Sequence, residues 1–130
     1  NPQARVYSQP CPLFVPLEEE GWIDKNITRL VIAEYLASMK FAGIDTLILG
    51  CTHYPLLKKL ISEFFEDSIV LIDSAESCSQ VVKEELIKNN LLNKTTGKSS
   101  AAFFVSDMAA RFSELGSRFL GEEFTAIKVV

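Results

Sequence analysis

Apolar residues recur along this chain at two spacings. Ile27, Leu30, Ala33, Ala37 and Phe41 fall three or four apart, predicting a helix over 27–41 with one apolar face; Asp24 or Asn26 can cap it, and Gly43 stops it. Leu56, Leu57, Leu60, Ile61 and Phe64 form a second such stripe, with Pro55 in the first turn, where proline is best tolerated. "SAESCSQVVKEELIKNNLL" predicts a third helix, with Ser77 and Gln80 spaced as a capping box. Residues 108–120 predict a fourth, with Met108, Phe112, Leu115 and Phe119 on one face and Gly121 at its end.

Short β-rich runs lie between these stripes: "RVYSQ" at 5–9, "IDTLILG" at 44–50, "SIVLID" at 68–73, then "AAFFVSD" and the closing "FTAIKVV". The unbroken run at 44–50 suits a strand buried on both faces of a parallel sheet. "PCPLFVP" holds three prolines in seven residues, which forbids a helix interior there. The polar stretch 93–100, "NKTTGKSS", reads as a loop or linker. Strands and helices therefore alternate, which argues for an α/β fold with a mainly parallel sheet.

Composition narrows the class. A chain of 130 residues fits one domain and can bury a core without staples. A net charge of -4 with no basic stripe argues against nucleic-acid binding. No apolar run reaches membrane-spanning length, and the N-terminus is not a signal peptide. The first residue is Asn1 rather than Met, which hints at a processed or excised piece. Three widely spaced cysteines, Cys11, Cys51 and Cys78, make neither a disulfide framework nor a zinc pattern, so a reducing compartment is the simpler reading.

The chemistry concentrates in "LILGCTHYP". If the strand ends near Gly50 and Pro55 opens a helix, the loop between them stands at the carboxyl edge of the sheet, where open α/β sheets bind ligands. The unpaired N–H groups and the dipole of the following helix favour an anion there, and would lower the pKa of the Cys51 thiol. Gly50 leaves room for a ligand, Thr52 adds a hydroxyl, and His53, the only histidine, titrates near neutrality. A small core thiol and a hydrogen-bonded loop histidine are the plainer alternatives. The run 18–20, three glutamates, reads as solvated. Cys11, flanked by two prolines, is expected to pack rather than react, and Cys78, beside Val82 and Leu86 on an apolar helix side, is expected in the core. Asp73 with Ser74 ends a strand and can either cap the next helix or touch a ligand, the cap being the plainer reading.

"LILGCTHYPLL" together with "CPLFVPLEEEG" (11–21) resembles the C-terminal half of glutamate racemase, and "IDSAE" and "FFVSD…RF…FLG" follow in that family's order. The aspartate racemases resemble it as far as GCT but carry an acidic residue where His53 stands. A thiol redox enzyme or phosphatase would want a resolving cysteine or an arginine-bearing phosphate loop, and "CTHYPLL" offers neither.

The resemblance implies a cofactor-independent and metal-free racemase interconverting L- and D-glutamate with two opposed thiols, supplying D-glutamate for peptidoglycan in the cytoplasm. It assigns Cys51 as one catalytic thiol, His53 as its assistant, and Thr52 and His53 as substrate contacts. Glu19 is the supporting acid–base glutamate, with Glu20 the fallback if the register slips by one. It further implies a three-layer sandwich-like lobe with a mainly parallel sheet, one of two similar lobes. Residues 1–79 would form that lobe, and 80–130 would cross back to complete the other. The family's Asp-Ser-Gly and Cys-Asn-Thr segments are absent from this sequence. The expected partners are therefore glutamate, the N-terminal portion of the same enzyme, and a second copy in a full-length homodimer; neither nucleic acid nor membrane is expected. The isolated chain is expected to be inactive. The alternatives are a racemase of another acidic amino acid and a non-catalytic homologue of the fold.

Overall fold

The computed structural model describes residues 2–94, 97 and 100–129. The loop expected over 93–100 lies largely outside these. The chain divides into two compact units, Asn1–Leu92 and Asn93–Val130.

In the first unit the order is α1 (Phe14–Glu19), α2 (Asn26–Phe41), β1 (Thr46–Leu49), a 3₁₀ turn (Tyr54–Leu57), α3 (Lys58–Phe64), β2 (Val70–Asp73) and α4 (Ser74–Lys88). β1 and β2 pair in parallel, with Leu47 opposite Leu71 and Leu49 opposite Asp73. α2 and α3 supply the core under one sheet face, with Ile32, Leu36, Leu57 and Ile61 almost wholly enclosed. Each such aliphatic side chain contributes about 1.5–3 kcal/mol by leaving water. Arg29 to Glu63 ties the two helices together at the surface, and Lys40 reaches Glu66 in the turn after α3. α2 ends through Gly43, whose φ of +66° is one that side-chain-bearing residues rarely adopt.

Several expectations need correction. The prolines do not prevent a helix: Pro16 is the third residue of α1, where its missing N–H would have had no intrahelical partner. Residues 5–9 form no strand; they line an open cleft of about 1100 Å³ together with β1 and do not pair with it. The buried side of α2 is Thr28, Ile32, Leu36 and Met39, whereas Leu30 and Phe41 of the expected stripe are exposed. Two apolar stripes compete on this helix, and the one facing α3 and the sheet is enclosed. Lys25 precedes α2 without a side-chain cap. Asp73 caps α4, its Oδ1 accepting from the Glu76 N–H at 2.7 Å. Ser77 lies inside that helix and donates to the Asp73 carbonyl, so it is not a capping-box residue.

β1 is enclosed on one face only. Leu49 is buried, but Ile48 is 70% exposed, and Val70 and Ile72 of β2 lie bare on the same side. α4 has no buried residue; Val81, Val82 and Ile87 are exposed, and so is Cys78, against its expected place in a core.

The second unit holds β3 (Phe104–Val105), α5 (Ala109–Leu120) and β4 (Ile127–Lys128). The strands are shorter than expected and pair in parallel with each other, Phe104 opposite Ile127. Met108 stands just before α5 in a left-handed conformation rather than on its apolar face. Phe124 packs on Phe103 and Phe112, with ring centroids 4.1 and 6.1 Å away. Gly116 faces this ring so closely that a Cβ would collide with it.

Candidate functional site

The first unit brings two separate stretches of sequence together. β1 delivers Gly50, Cys51, Thr52 and His53 into the loop at its carboxyl end, and α1 lies beside the 3₁₀ turn that follows. Tyr54 joins them. Its hydroxyl donates to the Cys11 carbonyl at 3.2 Å, and its ring meets Phe14 edge-on at 5.2 Å. Phe14 in turn meets Tyr35 of α2.

This clamp places Glu19 beside His53, with Oε1 3.7 Å from the imidazole Nε2. On the other side of the ring, Nδ1 lies 3.5 Å from the Thr52 hydroxyl. Cys51, Glu19 and His53 are all partly exposed, and Thr52 is exposed. A thiol and an imidazole two residues apart on one loop, and a carboxylate beside the imidazole, are thus each partly open to solvent. The site can present a base, an acid and a charge that orients the imidazole. Glu20 is exposed on the far end of α1 and joins none of these contacts.

The anion seat expected at a helix N-terminus is weaker than the sequence suggested. Pro55 opens a four-residue 3₁₀ turn, and the seven-residue α3 starts only at Lys58. Only a short helix dipole therefore points towards Cys51. A Cβ at Gly50 would meet nothing within 4 Å, so within this chain the glycine leaves open space beside the thiol.

The sequence reading missed Glu18. It is 1% exposed and, with Phe14, one of the two buried residues of α1. Neither of its carboxyl oxygens has a hydrogen-bond partner. Burial pushes its pKa from 4.5 up to about 8, and pushes the Cys11 thiol from 9.0 to about 11. Tyr54 is raised as well, first by burial and then by the neighbouring Cys11 and Cys51. The signal for Glu18 was present: Cys11, Phe14 and Glu18 step by three and four, the spacing of one helical face.

Among the described residues no group of three or more His, Cys, Asp or Glu is arranged to hold a metal ion. No described helix is long and apolar enough to cross a membrane.

No family model matches the chain. It is 47% identical over 121 residues to the curated glutamate racemase of Geobacter metallireducens, covering 93% of this chain and 45% of that protein. It is also similar to a crystal structure of glutamate racemase from Francisella tularensis in complex with D-glutamate, with a TM-score of 0.84 and 38% identity, over 100% of this chain and 48% of that one. A glutamate racemase isoform from Bacillus anthracis gives a TM-score of 0.86 at 27% identity, with the same two coverages, 100% and 48%. The chain spans about half the length of the curated relatives it matches.

Proposed function

We propose that this chain, which corresponds over its length to the C-terminal portion of glutamate racemases, supplies half of an active site that interconverts L- and D-glutamate. Cys51 is one of two opposed thiols. When Cys51 is the base, its thiolate takes the α-proton and leaves the electron pair on the α-carbon. A thiol on the opposite face then returns a proton, and the configuration is inverted. In the reverse direction Cys51 is the donor. This is general acid–base catalysis at carbon and uses no cofactor. His53 assists the Cys51 proton transfer, and Glu19 orients the imidazole. Thr52 and His53 contact the substrate.

The observation that carries this reading is the meeting of Glu19 with His53, two residues from Cys51. It joins the two stretches of sequence that the resemblance singled out. The opposite thiol belongs to the N-terminal portion of the enzyme. The bare face of β1 and β2 and the exposed aliphatic side chains of α4 fit a chain with further surface to cover. Residues from about 80 onward complete the other lobe, and the complete enzyme is a cytoplasmic homodimer supplying D-glutamate for peptidoglycan.

The test is racemisation by the complete enzyme with and without Cys51→Ser. The variant is expected to lose two-way racemisation, and its retention would refute the assignment. The 130-residue chain alone is expected to leave the glutamate α-proton unexchanged in heavy water; measurable exchange there overturns the half-site reading.

A further inference from the structure

α1 carries two consecutive carboxylates with opposite fates. Glu19 reaches out to His53. Glu18 turns inward, where both its oxygens lack partners. α1 has six residues and no side-chain cap, and only Phe14 and Glu18 anchor it in the core. A helix so short has little stability of its own, so packing must hold it.

The groups around Glu18 offer no countercharge. Tyr54 of the 3₁₀ turn lies close enough to feel its charge, as its own pKa does that of Cys11 and Cys51. Tyr35 of α2 packs on Phe14, one turn earlier on α1. The α2 cations are committed elsewhere, Arg29 to Glu63 and Lys40 to Glu66, and Glu34 of α2 is exposed. His53 of the loop after β1 is turned to Glu19. An ionised carboxylate left among these groups would be desolvated and uncompensated, and the short route back to water is for α1 to leave its seat.

We infer that Glu18 is a positioning residue whose proton holds α1 in place, so that loss of this proton lifts α1 and separates Glu19 from His53. The functional meaning rests on the reading of Glu19 and His53 given above; the conformational event does not. Burial moves the Glu18 carboxyl to about 8, which places the change just above neutrality.

His53 is the only histidine in the sequence, so its imidazole signals in carbon-13-edited NMR of this chain need no assignment. Apart from any change in its own charge, the wild-type ring is expected to show a second, separate shift around pH 8. Glu18→Gln keeps the shape of the neutral acid and should abolish the second shift; Glu18→Leu should abolish it as well, which guards against a folding failure of either variant. A wild-type ring without a second inflection, or one that persists in both variants, overturns the inference. In the complete enzyme, kcat is expected to fall between pH 8 and 9 with little change in KM, and Glu18→Gln should remove that fall. If the NMR result holds while kcat is indifferent to Glu19→Gln and to His53→Asn, the inference survives and the reading of the acid–base site does not.

Discussion

Replacing Glu18 should change the stability of this chain more than any surface substitution. Its carboxyl has an ordinary pKa of 4.5, against about 8 in the fold. Between those values the folded chain keeps a proton that the unfolded chain has given up. Stability from this group is therefore complete below pH 4.5 and is lost as pH rises towards 8. Each pH unit in that window removes about 1.4 kcal/mol. By pH 7 the loss is about 3.5 kcal/mol, a large share of the roughly 5–15 kcal/mol that holds a domain folded. Glu18→Gln removes the titration and should leave a flatter profile. Urea unfolding at pH 5, 6, 7 and 8, followed by tryptophan fluorescence, measures this directly. The reporter is well placed: Trp22 is the only tryptophan, and its N–H donates to the Leu17 carbonyl of α1 at 2.8 Å. Parallel wild-type and Glu18→Gln profiles across this range would refute the reasoning, because they would mean that Glu18 titrates alike in the folded and unfolded chains.

Tyr54→Phe keeps the ring against Phe14 but deletes the hydrogen bond to Cys11, and should lower urea stability by about 1 kcal/mol. Gly116→Ala drives a methyl into the Phe124 ring, which is already packed by Phe103 and Phe112. It should destabilise the second unit by about 1–3 kcal/mol, seen as faster amide exchange in α5 with the first unit unchanged. Lys58 donates to Asp73 and Glu76, each at 2.8 Å, and this hydrogen bond is the largest cause holding the Asp73 carboxyl below its usual range. The stability it contributes is present above the ordinary aspartate value and is lost as pH falls through the lowered one. Lys58→Met should weaken that acid dependence in a thermal melt.

The parts of the fold that periodicity could reach were readable. Leu57, Leu60 and Ile61 of the second stripe are buried, while Leu56 and Phe64 are only partly so, and β1 and β2 lie within the apolar runs that suggested them. Local chemistry also sufficed at Asp73, where a strand end and a capping side chain coincide. α2 shows where periodicity fails: its sequence supports two apolar faces, and only tertiary contact chooses between them. Exposure of Ile48 was illegible for a similar reason, since an apolar run reads the same whether or not its second face is covered. At the candidate site, the loop of Cys51, Thr52 and His53 came from one contiguous stretch, whereas its approach to Glu19 depends on α1, which the prolines had hidden. A run of three glutamates reads as solvated from its charge alone, but the helical phase of α1 turns Glu18 inward.

β2 ends at Asp73 and α4 begins at Ser74, with no residue between them. This junction has no slack. A single inserted residue would turn α4 by about 100° and slide it by about 1.5 Å, carrying Val81, Val82 and Ile87 off their line while the strand stayed in register. Over evolutionary time, changes in length can accumulate in the loops, but here each one re-aims a whole helix. The strand-to-helix joint at Asp73 therefore acts as a fixed gauge, setting the direction in which the exposed side of α4 faces whatever it meets.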